Sequence, residues 1–226
     1  MRLLDDEKQI GVWDQRMSEL AARTFAPDIK LVELFQALNL APQRAVDLGC
    51  GPGRHLVWLA ERGWQVTGLD WSSRALDDAR RALDSRGLSG ELIKGDIRTP
   101  PDLGAPFQLA VATRVFHHGL LSDYKLAIKS LRRLLSAGGH AIISLPSASM
   151  IPLNYPVDWV EERTLVPTEG DEAGIPHHFF TEEEVREYSQ EFSSVKLHKV
   201  REQYEEQTAQ GPQLVKREWL WVVLGV

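Results

Sequence analysis

The sequence predicts an α/β fold in which a mostly parallel sheet carries helices on both faces. Strand-like apolar runs alternate with helical patterns along most of the chain, and this alternation is typical of a parallel sheet. A chain of 226 residues with 43% hydrophobic residues can bury one sizeable core. We therefore expect one domain.

The predicted elements follow one another in a regular order. Residues 5–25 and 28–39 are predicted to be two leading helices that cap the sheet, and Pro27 favours the start of the second. The apolar side chains expected on one side of that second helix are Ile29, Val32, Leu34, Phe35 and Leu38. The next elements are strand 45–47, helix 54–62, strand 65–70, helix 73–85 capped by Ser72 or Ser73, strand 91–94, strand 108–113, helix 122–135 and strand 140–145.

The last third of the chain begins with a long segment. Residues 146–180 are rich in Pro and Gly and too long for an idle connector, which predicts a lid or binding loop. Thr181 and the three glutamates after it predict a capping box at a helix start. Strands 195–205 and 213–226 are predicted around a Gly211-Pro212 turn. Residues 219–224 are apolar on both faces and should lie inside the sheet.

The charge of the chain is low and unevenly distributed. There are 26 Lys and Arg against 32 Asp and Glu, a net charge of -6, which argues against general binding to a phosphate backbone. Residues 147–191 hold eleven acidic and two basic side chains, a local charge of -9. This acidic segment is either a solvated helix start or, through Glu161-Glu162 and 169–172, the lining of an entrance that favours a cationic or neutral substrate.

The single cysteine, Cys50, excludes an internal disulfide and a cysteine-rich metal site, and it fits a reducing cytoplasm. We see no apolar export segment at the start of the sequence and no apolar run long enough to cross a bilayer. We therefore expect a cytoplasmic protein without a membrane partner.

A glycine-rich turn, Val-Asp-Leu-Gly-Cys-Gly-Pro-Gly-Arg at 46–54, follows the first strand, where open α/β sheets bind ligands. The dinucleotide motif G-x-G-x-x-G would need glycine in place of Arg54, and no Gly-Lys-Ser/Thr of a phosphate loop follows. Asp70 ends the second strand, where a carboxylate can accept both ribose hydroxyl protons. The alternative is that Asp70 caps a helix or lies at the surface. Asp96, after the third strand, could bind an adenine amino group.

These motifs together resemble the class I S-adenosylmethionine-dependent methyltransferases. The resemblance rests on the first motif at 46–53, the acid-ended strand Gly68-Leu69-Asp70, the loop Gly95-Asp96-Ile97 and the turn into strand five at 138–145. It covers roughly residues 42–146, and the terminal strand pair extends it to Val226. It implies a Rossmann-like, seven-stranded sheet whose last strand is antiparallel. The expected parts are cap helices at 1–41, a cofactor-binding core at 42–145, a lid at 146–180 and a closing helix and strand pair at 181–226.

The resemblance also implies the cofactor and its contacts. The cofactor would be S-adenosyl-L-methionine, and the product S-adenosyl-L-homocysteine. The residues expected to bind it are Asp47, Gly49, Cys50 and Gly51 around the methionine part, Asp70 on the ribose, Trp71, Asp96 and Ile97 around the adenine, and Thr113 after strand four. Arg54 would lie near the methionine carboxylate, and a leading helix with Trp13 and Arg16 would cover the cofactor. We expect Cys50 to pack under the loop, because no base stands beside it to activate a nucleophile.

Two histidine pairs are candidates for further chemistry. His117 and His118 follow strand four and could take a proton from an acceptor, or they could simply pack or cap the next turn. His177-His178 could contact the substrate beside Phe179-Phe180, or anchor the loop through buried rings. Adjacent histidines lack the i, i+4 spacing of helical metal ligands, and no metal-type carboxylate cluster accompanies them. We therefore expect no metal.

The sequence thus predicts methyl transfer to a small-molecule acceptor by positioning and desolvation, with a general base optional. Nucleic acid is not expected as a partner, because there is no basic stripe and no Asn/Asp-Pro-Pro-aromatic motif after strand four. The alternatives are an NAD-dependent oxidoreductase and a non-catalytic S-adenosylmethionine-binding protein. The acceptor atom and the oligomeric state stay open.

Overall fold

Two sheets organise the protein, whose computed structural model describes residues 4–20, 26–104, 106–151, 156–208 and 211–226. The strands, in chain order, are β1 (Arg44–Leu48), β2 (Gln65–Asp70), β3 (Glu91–Lys94), β4 (Phe107–Thr113), β5 (Leu135–Pro146), β6 (Val157–Glu161), β7 (Thr164–Pro167), β8 (His177–His178), β9 (Ser194–Thr208) and β10 (Gly211–Gly225). Over these described residues, seven strands pair in the order β3-β2-β1-β4-β5-β10-β9, and β6-β7-β8 form a second sheet.

The large sheet is parallel except at one end. β1 pairs in parallel with β2 and β4, β2 with β3, and β4 with β5. β10 lies between β5 and β9 and is antiparallel to both. Its residues 219–224 are buried, which confirms that this doubly apolar run is an interior strand. The Rossmann-like fold with an antiparallel last strand is therefore confirmed.

Helices cover both faces of the large sheet. They are α1 (Asp6–Leu20), α2 (Ile29–Leu38), α3 (Arg54–Ala60), α4 (Ser73–Asp84), α5 (Leu121–Leu134) and α6 (Glu182–Tyr188). Successive β4 side chains point to opposite faces: Leu109 and Val111 join the cluster under α2 and α3, and Ala110 and Ala112 join the cluster under α5. Among these helices none has the length and apolarity that crossing a membrane requires.

Two of the predicted helix starts are confirmed by their caps. The Ser72 hydroxyl accepts a hydrogen bond from the Ala75 amide at 3.0 Å and so begins α4. At α6, Thr181 and Glu184 form the predicted capping box, in which each side chain accepts from the backbone amide of the other.

Three details of the prediction are wrong or lie outside the described residues. Ile29 is 77% exposed, because it stands two residues, about 200° of helix rotation, from the buried Leu31. The predicted Gly211-Pro212 turn is instead paired β10 backbone, with Gly211 opposite Thr208. α1 ends at Leu20, and the remainder of the first predicted helix, 21–25, is not described.

The segment predicted as a long loop contains the second sheet. A short 3₁₀ helix, Ala148–Met150, is followed by β6, β7 and β8, which pair in antiparallel fashion. Every residue of β7 is buried. These strands of two to five residues are too short to show a periodic pattern, which is why the composition suggested a loop.

Candidate functional site

A cavity of about 490 Å³ opens at the carboxyl ends of β1 to β4, where the parallel strands of such sheets bind ligands. Most of the predicted site residues line it: Gly49, Cys50, Gly51, Asp70, Trp71, Asp96, Ile97, Thr113, His117 and His118. The cavity therefore joins the predicted cofactor site and the candidate histidines in one space.

The glycine loop bends sharply above β1. Gly49 and Gly51 have φ values of 68° and 52°, a left-handed backbone that favours glycine. A Cβ atom on Gly49 would lie 2.5 Å from the Val115 side chain, so the loop after β4 can pack directly on this turn. The Gly49 and Cys50 amides both donate to the Leu69 carbonyl, at 2.7 and 3.1 Å, and fasten the loop to β2.

Asp70 ties the glycine loop to the start of α4. Its Oδ2 accepts the Gly51 amide at 2.8 Å, and its Oδ1 accepts the Ser72 amide at 2.9 Å. Burial raises the pKa of Asp70, and these two amide donors offset the rise only in part. Each carboxylate oxygen offers two lone pairs, so both can accept a further hydrogen bond from a ligand hydroxyl.

Arg98 connects the third loop to the leading helix. Its backbone amide and its Nε donate to the two oxygens of Asp96, at 2.8 and 2.7 Å. Its guanidinium also pairs with Asp123 at 3.1 Å and with Asp6 of α1 at 2.8 Å. The hydrogen bond to Asp96 is the main reason why the pKa of Arg98 is raised. Any adenine contact of Asp96 must use a second lone pair on an oxygen that Arg98 already occupies.

α1 covers one side of the cavity. Trp13 and Arg16 line the cavity, and the Trp13 ring lies 4.6 Å from the His118 ring between centroids. The Arg16 guanidinium is 3.0 Å from Glu172, and Ser72 donates a hydrogen bond to Asp14 of the same helix. The leading helix is thus placed where the family resemblance expects a cover.

A buried polar group lies beneath the glycine loop. Asp47 is 1% exposed, and among the described residues it does not line the cavity. Burial raises the pKa of Asp47 to about 8, although the nearby Arg54 acts to lower it. His55 Nδ1 lies 3.9 Å from its carboxyl group and 3.4 Å from Thr113 Oγ1, and His55 Nε2 accepts the Asp28 amide at 3.3 Å.

The opposite end of the cavity is built from imidazoles. His117 and His118 follow β4, and His177 begins β8; their ring centroids are 3.9 Å (117–118), 5.7 Å (117–177) and 5.1 Å (118–177) apart. A bridge between residues 118 and 177 and a 2.9 Å hydrogen bond from the His178 amide to the His117 carbonyl hold the backbones together. Burial lowers the pKa of His117, and it lowers that of His118 to about 3, so both rings are neutral at neutral pH.

The second histidine pair is split between two environments. His177 contacts the cluster, whereas His178 turns into the small sheet, 2.7 Å from Thr164 Oγ1 and 3.7 Å from Glu184. Phe179 and Phe180 are buried. Among the described residues neither phenylalanine lines the cavity, so they anchor the segment instead of forming an aromatic wall.

The acidic segment meets the cavity at one point. Of its eleven carboxyl groups, all of them described, Glu172 alone lines the cavity. Glu184 is buried beside Arg163, and Glu161 accepts the Leu121 amide at 3.2 Å. Of the residues predicted to line an entrance, Glu161-Glu162 and 169–172, Glu172 is the acidic residue that lines the cavity. The other carboxylates of the segment lie at the surface or in ion pairs.

Comparisons with known proteins agree with this geometry. A family model described as a methyltransferase domain matches residues 45–139. The ribosomal RNA small subunit methyltransferase C of Alcanivorax borkumensis is 39% identical over 71 residues, 31% of this chain and 22% of that protein. The demethylmenaquinone methyltransferase of Thermus thermophilus is 33% identical over 109 residues, 47% of this chain and 49% of that protein. The chain thus spans half the length or less of these curated relatives.

A solved structure extends the likeness of the fold. The crystal structure of an S-adenosylmethionine-dependent methyltransferase from Clostridium acetobutylicum has a TM-score of 0.62, at 15% identity, and covers 98% of this chain and 92% of that one. Such a likeness concerns the fold alone. The part of the chain that matches, residues 45–139, is a methyltransferase domain of the kind that the sequence resembles.

The matching methyltransferase domain implies S-adenosylmethionine as the cofactor, and the residues in the cavity fit it. The glycine loop has no lysine, which suits a ligand without a phosphate group. Asp70 retains lone pairs for ribose hydroxyls, and Trp71 and Ile97 offer apolar surface to a base. Arg54 lines the same loop as a cation for the methionine carboxylate; burial lowers its pKa, and Asp28 attracts its charge. The individual contacts stay predictions.

Two of the lining residues that sequence reasoning missed, His55 and Trp219, contact other residues of the site. His55 stands in the first turn of α3, directly after the glycine loop, and that position was a signal that could have found it. Trp219 lines the cavity from β10, and its ring makes a T-shaped contact with His117 at 5.6 Å. It was predicted only as part of a buried strand, because nothing local links β10 to the turn after β4.

Proposed function

We propose that this chain transfers a methyl group from S-adenosylmethionine to a small-molecule acceptor, mainly by positioning and desolvation. The observation that carries the proposal is the single cavity that joins the Asp70 end to the His117–His118 end. A cofactor whose ribose lies on Asp70 would extend along the glycine loop toward the histidines. An acceptor held there would be aligned for an in-line displacement.

The chain's own residues would bind and orient the reactants. When bound, S-adenosylmethionine supplies an electrophilic methyl group on its sulfonium. Asp70 would hold the ribose, and Trp13 of α1 would exclude water from the space beside His118. Because His118 is neutral and has a low pKa, it would orient an acceptor through a hydrogen bond better than it would remove a proton.

A small acceptor is favoured over RNA by charge. The net charge is -6, and the carboxylate of Glu172 lies at the acceptor end. Relatives named for ribosomal RNA match over 71 and 125 residues and the relative named for demethylmenaquinone matches over 109, so charge, and not the length of a match, supports this choice of acceptor class. A cytoplasmic location is part of the same proposal, and the buried Cys50 thiol supports it.

Two measurements test the proposal. In calorimetry, S-adenosylhomocysteine should bind tightly and NADH should not bind; the reverse result would favour the oxidoreductase alternative. Methyl-labelled S-adenosylmethionine is then incubated with a small-molecule extract and, separately, with small-subunit ribosomal RNA. Label should enter the small-molecule fraction. Label in the RNA would overturn the acceptor class, and tight binding without any transfer would favour a non-catalytic binding protein.

A further inference from the structure

Three imidazoles from two distant segments meet at the acceptor end of the cavity. One nitrogen each of His117, His118 and His177 lies within 4.8 Å of the other two. The backbone bridge between residues 118 and 177 fixes this approach. The spacing argument against a metal therefore does not apply, because the third histidine comes from β8 and not from the same turn.

Two of these rings have buried nitrogens that lack a well-aligned hydrogen bond among the described residues. They are His117 Nδ1 and His177 Nε2, on side chains that are 7% and 6% exposed. His177 Nε2 has the Glu172 carboxylate as a close neighbour, whereas His117 Nδ1 has no such partner among the described residues, and an unsatisfied buried polar atom destabilises the fold. A bound ion would satisfy His117 Nδ1 and could take His177 Nε2 as a second ligand.

A carboxylate completes the set of donors. Glu172 Oε2 lies 3.0 Å from His177 Nε2, while Glu172 Oε1 is held 3.0 Å from Arg16. The arginine contact fixes the carboxylate and leaves its second oxygen directed at the cluster. Outer contacts of this kind are typical around metal ligands.

We propose that His117, His118 and His177, with Glu172 as the fourth donor, bind one divalent transition-metal ion, Zn²⁺ in the first instance. Imidazole nitrogens with one carboxylate are a zinc-type set, whereas Mg²⁺ and Ca²⁺ prefer oxygen ligands. Two ligands at 2.0–2.1 Å from a tetrahedral ion lie roughly 3.3 Å apart. The cluster therefore needs to contract by about 1.5 Å at most, within reach of side-chain rotation.

The ion would lie at the wall of the cavity. His117, His118 and Glu172 line the cavity, and the Trp219 ring packs against His117; His177 is not among the described lining residues. An ion held by these side chains would face the space assigned to the acceptor and could take an acceptor oxygen, nitrogen or sulfur as a further ligand. This last consequence rests on the proposed function; metal binding itself does not.

The first experiment measures binding directly. Untagged protein is stripped with a chelator and titrated with Zn²⁺ by calorimetry and with Co²⁺ by visible absorption. We expect one equivalent to bind, with the d–d absorption of a low-symmetry Co²⁺ site and a raised melting temperature. Absence of saturable binding near one equivalent would overturn the proposal, whatever the methyl-transfer assays show.

Variants locate the site. His118→Ala and His177→Ala should abolish the Co²⁺ absorption, and Glu172→Gln should weaken Zn²⁺ binding by about 10–100-fold. His198→Ala, in β9 and outside the cluster, is the matched control and should bind like the wild type. His118 is only half-buried, so its variant decides the matter should His177→Ala fail to fold. One-equivalent binding that survives His118→Ala would show an adventitious site and contradict the proposal.

Discussion

The two ends of the cavity are built in different ways. At the predicted cofactor end, the residues expected to bind lie at strand ends or in the turns that follow them, as with Gly51 after β1 and Asp70 at the end of β2. At the histidine end, Trp13 of α1, His118 after β4 and His177 of β8 meet only in the folded chain. Local motifs therefore describe the first end, and tertiary pairing creates the second.

The two ends also differ in how they keep buried groups uncharged. Burial raises the pKa of the Asp47 carboxyl group beneath the glycine loop, so it holds its proton up to about pH 8. Burial lowers the pKa values of His117 and His118, so these rings have already lost theirs at neutral pH. Burial thus keeps these three groups uncharged, by raising the pKa of an acid and lowering the pKa of two bases, so their contributions to stability should respond to pH in opposite directions.

The largest expected effect is the loss of Asp70. Asp70→Ala removes two charge-assisted hydrogen bonds to the ribose, each worth about 1.5–3 kcal/mol, so affinity for S-adenosylhomocysteine should fall at least about 100-fold in calorimetry. Asp77→Ala, on the exposed face of α4, is the matched control and should bind normally. A well-folded Asp70→Ala protein with unchanged affinity would refute the ribose assignment.

The second-largest expected effect is the pH dependence of stability that Asp47 causes. The folded-state pKa of Asp47 is about 8 against an ordinary value of 3.8, so its contribution makes the free energy of unfolding fall as pH rises through that window. Relative to the wild type, Asp47→Asn should gain about 3–4 kcal/mol in free energy of unfolding between about pH 5 and about pH 8, measured by urea unfolding of the cofactor-free protein.

The buried histidines act with the opposite sign in that experiment. Their folded-state pKa values lie below the ordinary 6.5, so their contribution is present above that pH and is lost as pH falls. The histidine contribution is the same in the wild type and in Asp47→Asn, so it cancels in the difference between their free energies of unfolding. Asp77→Asn should show no such gain, and parallel pH profiles for wild type and Asp47→Asn would contradict the buried, protonated state of Asp47.

A change at the histidine end should affect turnover and spare cofactor binding. His118→Gln removes a neutral imidazole that faces the acceptor, so methyl transfer should fall about 10-fold, the equivalent of about one hydrogen bond. S-adenosylhomocysteine affinity should change less than about threefold. A large loss of cofactor affinity, with His198→Gln unaffected, would mean that His118 belongs to the cofactor end.

The smallest expected effect concerns α1, which covers one side of the cavity. Arg98→Ala frees Asp6 of α1 from its partly exposed ion pair, worth about 1 kcal/mol, so S-adenosylhomocysteine affinity should fall about fivefold and α1 amides should exchange faster. Arg81→Ala removes a similar pair to Asp78 on α4, away from the cavity lining, and should do neither. Unchanged exchange in α1 would show that Arg98 does not hold the cover.

Much of the fold and of the cofactor end could be predicted, because both depend on local sequence. The bounds of β2 and β3 were predicted residue by residue, and Asp70 was identified from its place at a strand end. The second sheet, with strands of two to five residues, and the turn of His177 toward His118 depend on pairing between distant segments, which no local pattern encodes.

A crystal structure with S-adenosylhomocysteine tests most directly whether one cavity joins the two ends. The account predicts the ribose hydroxyls on the Asp70 carboxylate and the sulfur directed toward His117 and His118, with acceptor space bounded by Glu172. A ribose away from Asp70, or a sulfur directed away from the histidines, would contradict it.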